Sequence, residues 1–173
     1  MSKVFLLTGL SGAGKTTLAQ AMRERLGNKA CAVLDGDEMR KGLCKDLGFS
    51  RADREENIRR CGELAKVLSD QGLVVLMAMI APYAKLREVL KNIVGEDRLH
   101  IIYVDCPLET CMQRDPKKNY KKVRDGALKN YTGIDDAYEA PEFPDLVVHT
   151  SCETASESLE KIADYIGKVM DCQ

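Results

Sequence analysis

The sequence predicts an α/β fold: a central parallel sheet with helices on both faces and a lid segment. Three observations carry this. Apolar runs that read as strands alternate with helical patterns along the chain, the signature of a parallel sheet built from crossover units. Gly9-Leu10-Ser11-Gly12-Ala13-Gly14-Lys15-Thr16 fits G-x-x-x-x-G-K-[ST] between a strand and a helix, the context a phosphate-binding P-loop requires, and this makes the expectation a P-loop NTPase fold. From about 115 to 144 the pattern lapses into a stretch rich in Lys, Tyr, Asp, Gly and Pro. So long an irregular segment inside a compact domain reads as a lid.

Val4 to Thr8 is apolar enough for a buried strand. Leu18, Met22 and Leu26 then recur at helical spacing, and Gly27 supplies a stop. Ala30 to Leu34 reads as a second strand ending at Asp35-Gly36-Asp37, followed by a short helix from Glu38 to about Cys44. Ser50 can cap a long helix to Gln71, with Ile58, Cys61, Leu64, Ala65 and Leu68 as its buried stripe. Leu73 to Ile80 is the most apolar strand and is expected at the centre of the sheet. Ala81-Pro82-Tyr83 breaks it, and a helix follows to about Val94. Leu99 to Val104 is the next strand, ending at Asp105-Cys106-Pro107, and a helix then runs to about Arg114. Asp145 to Val148 is the last strand. Thr154-Ala155-Ser156-Glu157 is a capping box opening the final helix, whose core face is Leu159, Ile162, Ala163, Ile166 and Met170.

At 173 residues the chain is expected to form one domain. A net charge of −1 gives no electrostatic case for nucleic acid or an anionic membrane as partner. No apolar run reaches the length of a membrane span, and the chain opens almost directly into its first strand, so no signal peptide is expected. The seven cysteines show no C-x-x-C spacing and there are only two histidines. Reduced thiols in a cytoplasmic protein are favoured over a zinc site or a disulfide framework.

The glycine loop states its own chemistry. Gly9, Ser11, Gly12, Ala13 and Gly14 can turn backbone N–H groups around phosphate oxygens, Lys15 can reach the β- and γ-phosphates, and the Thr16 hydroxyl can ligate Mg²⁺, with Thr17 beside it. Asp35 and Asp37 fall at the carboxyl end of a neighbouring strand, where open α/β sheets bind ligands. Two carboxylates there can orient or deprotonate an attacking hydroxyl and help hold Mg²⁺, Asp35 directly or through water. Arg54 and Asn57, at i and i+3, share one face at the start of the long helix, and Arg54 is expected at the rim of the core, where it can pair with an anion bidentately. Arg114, Lys117, Lys118, Lys121, Lys122 and Arg124 form a cationic run in the lid, suited to clamping phosphoryl groups. Phe49 and Tyr131 sit in loops, where stacking on a nucleobase and local packing are both open.

Longer strings resemble the adenylylsulfate kinases (APS kinases). They are Leu34-Asp35-Gly36-Asp37 with Arg40, Lys45 to Ser50, Asp53 to Arg60, Tyr103 to Glu109, Gln113 to Lys117, Thr132 to Asp136, and Tyr138 to Glu142. The resemblance spans nearly the whole chain. It implies transfer of the γ-phosphate of MgATP to the 3′-hydroxyl of adenosine 5′-phosphosulfate (APS). It further implies Asp37 as the base, with Lys15 and Asp35 in the catalytic set and Arg114 on ATP. Arg40, Arg54 and Asn57 would contact the acceptor's phosphosulfate and sugar, Phe49 and Tyr131 would sandwich its adenine, and Ile80, Ala81 and Lys117 would line the same pocket. ATP and a nucleotide acceptor are the expected partners, and a homodimer is the candidate assembly. The departures fall on the acceptor side: Ala81 where the family has Ser, Tyr131 where it has Phe, Met79 and Asn119 at two further positions. A 3′-kinase for another modified nucleotide, such as a cytidine diphosphoramidate in capsule biosynthesis, is the alternative they leave open. A non-catalytic nucleotide switch is disfavoured by the absence of Asn-Lys-x-Asp.

Overall fold

The structure, a computed structural model, describes residues 2–27, 31–127 and 130–171. Its strands are β1 (Val4–Thr8), β2 (Cys31–Asp35), β3 (Val74–Ala78), β4 (Leu99–Asp105) and β5 (Leu146–His149). They pair in the order β2-β3-β1-β4-β5, with every pairing parallel. The helices are α1 (Lys15–Leu26), α2 (Gly36–Lys41), α3 (Arg51–Asp70), α4 (Ala84–Val94), α5 (Leu108–Arg114), α6 (Asn119–Arg124) and α7 (Ala155–Asp171).

Alternation along β1 explains the layers. Phe5 and Leu7 face a core shared with Leu18 and Met22 of α1 and Ile162 and Ile166 of α7. Val4 and Leu6 face the other core, shared with Ile58, Cys61 and Ala65 of α3 and Leu86 and Leu90 of α4. Both faces of the sheet are therefore covered, which is why its inner strands carry no polar alternation. Truncating a side chain such as Leu76, which is fully buried, would cost about 2–5 kcal/mol.

Three expectations are corrected. β1, rather than the Leu73–Ile80 strand, is central, because β3 pairs with β2 on its outer side. Both strands are buried along their whole length, so apolarity alone does not order them. The short helix α2 starts at Gly36 and ends before Gly42, leaving Cys44 in the following turn. Its early start follows from Asp35, whose carboxylate accepts from the backbone N–H groups of Asp37 at 2.9 Å and Glu38 at 3.3 Å. The lid is not structureless. Asp115 Oδ1 and Oδ2 accept from the N–H groups of Tyr120 and Lys121, which opens α6. The capping box at Thr154 and Glu157 forms in both directions. Ala30 and Cys172 lie outside the described residues.

Candidate active site

The phosphate loop leaves β1 and enters α1 at Lys15. A Cβ at Gly9 would stand 2.4 Å from the Val104 carbonyl oxygen, and one at Gly12 would stand 2.9 Å from that of Cys111. Gly12 also has φ +82°. The loop is thus pressed against β4 and α5, and only glycine fits at these two points. Its carbonyls are held from outside: Tyr120 Oη donates to Ser11 O at 2.9 Å, Thr150 Oγ1 to Ala13 O at 2.8 Å, and Arg114 to Gly12 O at 3.4 Å. With the carbonyls tied back, the loop N–H groups are left for phosphate.

Lys15 is buried and donates to Leu10 O at 2.7 Å. Burial, and then the neighbouring Lys117 charge, lower its pKa to about 8. Thr16 Oγ1 donates to Asp35 Oδ2 at 2.6 Å, joining the loop to the carboxylate turn. Asp35 is buried, whereas Asp37 is exposed and touches the Lys117 ammonium. The side chain of Asp37 is 56% exposed, open to an incoming hydroxyl.

The acceptor-side residues group around the start of α3. Arg54, expected at the rim of the core, is engaged by the protein itself. It is buried, with Nε donating to Phe49 O at 3.0 Å, one terminal nitrogen to Thr132 Oγ1 at 2.8 Å and the other to Asn130 O at 2.5 Å. Asp136 adds an ion pair at 3.7 Å. Arg54 therefore brackets the two loops that carry Phe49 and Tyr131. Arg40 does similar work on the Phe49 loop, donating to Leu47 O and Gly48 O and lying 4.6 Å over the Phe49 ring. Burial, then the Arg54 charge, lowers the Arg40 pKa. Asn57 is buried and its Nδ2 has no partner among the described residues. Phe49 is half exposed, and Tyr131 packs edge-on against Tyr120, ring centroids 5.1 Å apart. Ala81 is buried, with φ +42° and its carbonyl held by Arg87 at 2.9 Å. The Ile80 carbonyl accepts from Thr8 Oγ1.

Several residues that build the site gave no signal as such in the sequence. Tyr138 Oη lies 2.9 Å from Thr8 Oγ1, Tyr83 Oη donates to Asp136 Oδ2 at 2.5 Å, and Thr150 ties the β5–α7 loop to the P-loop. Tyr138, Asp136 and Thr132 stand in the strings that carry the family resemblance, and that was their only flag.

A P-loop opposite an exposed carboxylate and a lysine, at the carboxyl ends of parallel strands, defines a phosphotransferase of the P-loop kinase class. The comparisons make this particular. The adenylylsulphate kinase family model matches residues 1–149, and the chain belongs to that family. It is 54% identical over 145 residues to an adenylyl-sulfate kinase of Aeromonas hydrophila, covering 83% of this chain and 74% of the relative. With an adenylyl-sulfate kinase of Bacillus licheniformis it shares 47% over 167 residues, covering 95% of this chain and 85% of the relative. Its fold is similar to that of a Mycobacterium tuberculosis APS kinase solved with AMPPNP and APS, with TM-score 0.92, 37% identity and coverage of 96% and 98% of the two chains. Among the described residues no helix is long and apolar enough to cross a membrane.

Proposed function

We propose that this protein transfers the γ-phosphoryl group of ATP to the 3′-hydroxyl of APS. The observation that carries the chemistry is the Thr16–Asp35 hydrogen bond, which sets the phosphate loop and the Asp35–Asp37 turn against one space. Asp37 accepts the proton of the 3′-hydroxyl as its oxygen bonds to the γ-phosphorus. The bond from that phosphorus to the β-phosphate bridging oxygen breaks, and ADP leaves with the electron pair. Lys15 and the P-loop N–H groups hold the β- and γ-phosphates, and Arg114, tied to Gly12 and Thr150, borders the nucleotide side.

Mg²⁺ fits the same corner. The Thr16 hydroxyl and the Asp35 carboxylate are hard oxygen donors side by side. Among the described residues no group of three or more His, Cys, Asp or Glu forms a protein cage. Such a donor set suits Mg²⁺, which is usually held by one or two carboxylates plus substrate phosphates. When bound, it neutralises charge on the phosphates.

On the acceptor side, the buried Asn57 Nδ2, without a partner among the described residues, favours a hydrogen-bonding ligand. Phe49 offers a face for its base. A stacking face tolerates any base, so the decisive experiment is an acceptor screen. Labelled ATP is offered with APS, cytidine diphosphoramidate and the plain nucleoside diphosphates. Preference for APS is the expected result. Preference for the cytidine compound would replace the acceptor while leaving the phosphotransfer chemistry in place.

A further inference from the structure

Ala81 is held in a conformation that its sequence context disfavours. Its φ is +42°, in the left-handed region, although it carries a Cβ. Pro82 follows it, and a residue before proline prefers extended backbone. A residue strained in this way persists where its surroundings over-determine it, and here they do. Thr8 Oγ1 donates to Ile80 O at 2.5 Å, which fixes the peptide plane before Ala81. Arg87 donates to Ala81 O at 2.9 Å, which fixes the plane after it. Those two planes set φ and ψ of Ala81. Beyond them, the Glu139 N–H donates to Pro82 O at 2.7 Å, and the Glu139 carboxylate accepts from the Ala84 N–H at 2.7 Å.

Arg87 is the unexpected member of this clamp. It is 5% exposed, no carboxylate pairs with it among the described residues, and its one hydrogen-bond partner there is the Ala81 carbonyl. Burial lowers its pKa. A buried guanidinium without an anion is a poor way to stabilise a helix, since an apolar side chain of similar volume would pack there with less desolvation. The Ala81 side chain belongs to the core on the α3–α4 face, so what this turn can offer a ligand is its backbone. The carbonyls of Ile80, Ala81 and Pro82 are all taken, whereas the N–H groups of Ile80 and Ala81 have no acceptor among the described residues. The turn stands at the carboxyl end of β3, the end at which such sheets bind ligands.

We propose that Arg87 is a positioning residue for the acceptor: by holding the Ala81 carbonyl it keeps the Ile80–Pro82 turn in the left-handed shape that the acceptor meets. Without that bond Ala81 relaxes, and the acceptor's apparent affinity falls with the fraction of turns still in the binding shape. The inference rests on the reading that Ile80 and Ala81 line the acceptor pocket.

A double-mutant cycle tests it. Arg87→Met keeps an apolar stem and removes the donor. Acceptor KM should rise about tenfold, the population shift expected when one left-handed residue is released, with ATP KM and kcat changed less than threefold. Ala81→Gly supplies a residue that adopts positive φ freely. In that background Arg87→Met should raise acceptor KM less than threefold further. Arg87→Lys, which keeps a donor for a single carbonyl, should restore most of the acceptor affinity. An equal KM rise in both backgrounds would mean that Arg87 acts other than through Ala81 and would overturn the proposal, as would an unchanged KM. If Arg87→Met alone does not fold, recovery of the fold by Ala81→Gly supports the coupling and no recovery overturns it. The Ala81 Cα and Cβ chemical shifts of the free protein separate the two layers of the argument. They should leave left-handed values in Arg87→Met. Shifts that stay would sink the hold of Arg87 on Ala81, and shifts that move while acceptor KM does not would sink the placement of this turn in the acceptor pocket.

Discussion

Arg54 donates to Thr132 Oγ1 at 2.8 Å, a hydrogen bond between buried side chains 78 positions apart. With the bonds to Phe49 O and Asn130 O, it makes one guanidinium the joint between the α3 entry and the middle of the lid. Arg54→Ala should therefore destabilise the fold by about 3–5 kcal/mol, the range for removing one partner of a buried charged network. Arg54→Lys should recover little, since an ammonium cannot reproduce a three-way fork. Chemical denaturation with acceptor KM on the same proteins checks this. A large KM change at unaltered stability would return Arg54 to a ligand-contacting role.

How far the sequence foretold the site follows from the range of each interaction. The P-loop, the Asp35 turn and the caps at Ser50 and Thr154 are local, and each lies within a few residues of its partner. The Asp35 carboxylate was read as a site group, and it is also the N-cap of α2. The Arg54 joint, the Tyr138–Thr8 contact 130 positions apart and the Tyr120–Ser11 bond 109 positions apart have no periodic or spacing signature. They exist only once the sheet order has brought the lid over the P-loop. The same holds for the Phe49 and Tyr131 loops, whose approach is set by Arg54 and not by either loop's own residues.

The two carboxylates should separate by function. Asp37 is exposed and faces a lysine, whereas Asp35 is buried, caps α2 and accepts from Thr16. Asp37→Asn should lose about 10²–10⁴ in kcat, the usual contribution of a general base, while ATP affinity is kept. Asp35→Asn should weaken MgATP binding, whereas the cap survives because asparagine also caps well. Parallel ATP titrations and turnover assays distinguish these. Loss of ATP affinity in Asp37→Asn would move the base elsewhere.

Lys15 should make nucleotide binding pH-dependent. Burial, then Lys117, lower its pKa to about 8 in the free protein. Phosphate favours the charged form, so ATP binding near pH 8 should take up protons. Affinity should fall as pH rises above about 8. The stability of the free protein runs the other way. The unfolded lysine titrates near its ordinary value of 10.5, so between about 8 and 10.5 the unfolded state holds more protons and stability rises with pH. Below pH 8 the penalty for burying the charge is fully present. Calorimetry of ATP binding in two buffers of different ionisation enthalpy reads the proton uptake directly, and identical heats in both would refute a titrating Lys15. Lys15→Ala should abolish the uptake and lower the rate by about 10²–10³, as when one charge-stabilising donor is removed.

The lid should behave as two parts. Tyr120 is fully buried, reaches Ser11 O and is capped by Asp115, so α6 is anchored to the phosphate loop without any nucleotide. Lys117, by contrast, is held to the rest of the site through its contact with Asp37, both partly exposed, and a surface pair of that kind contributes little. Hydrogen exchange on the free protein should therefore protect the amides of Tyr120 and Lys121, which already have acceptors. Protection gained on adding both nucleotides should concentrate around Lys117, whose further partners are supplied by ligand, whereas the Asn130–Thr132 turn, whose Asn130 and Tyr131 N–H groups already donate to Asp135, should be protected from the start. Buried contacts hold the one region closed, and charge awaiting phosphate leaves the other free to respond. Rapid, uniform exchange from 115 to 138 in the free protein would show a strap with no anchor and would remove Tyr120 from that role.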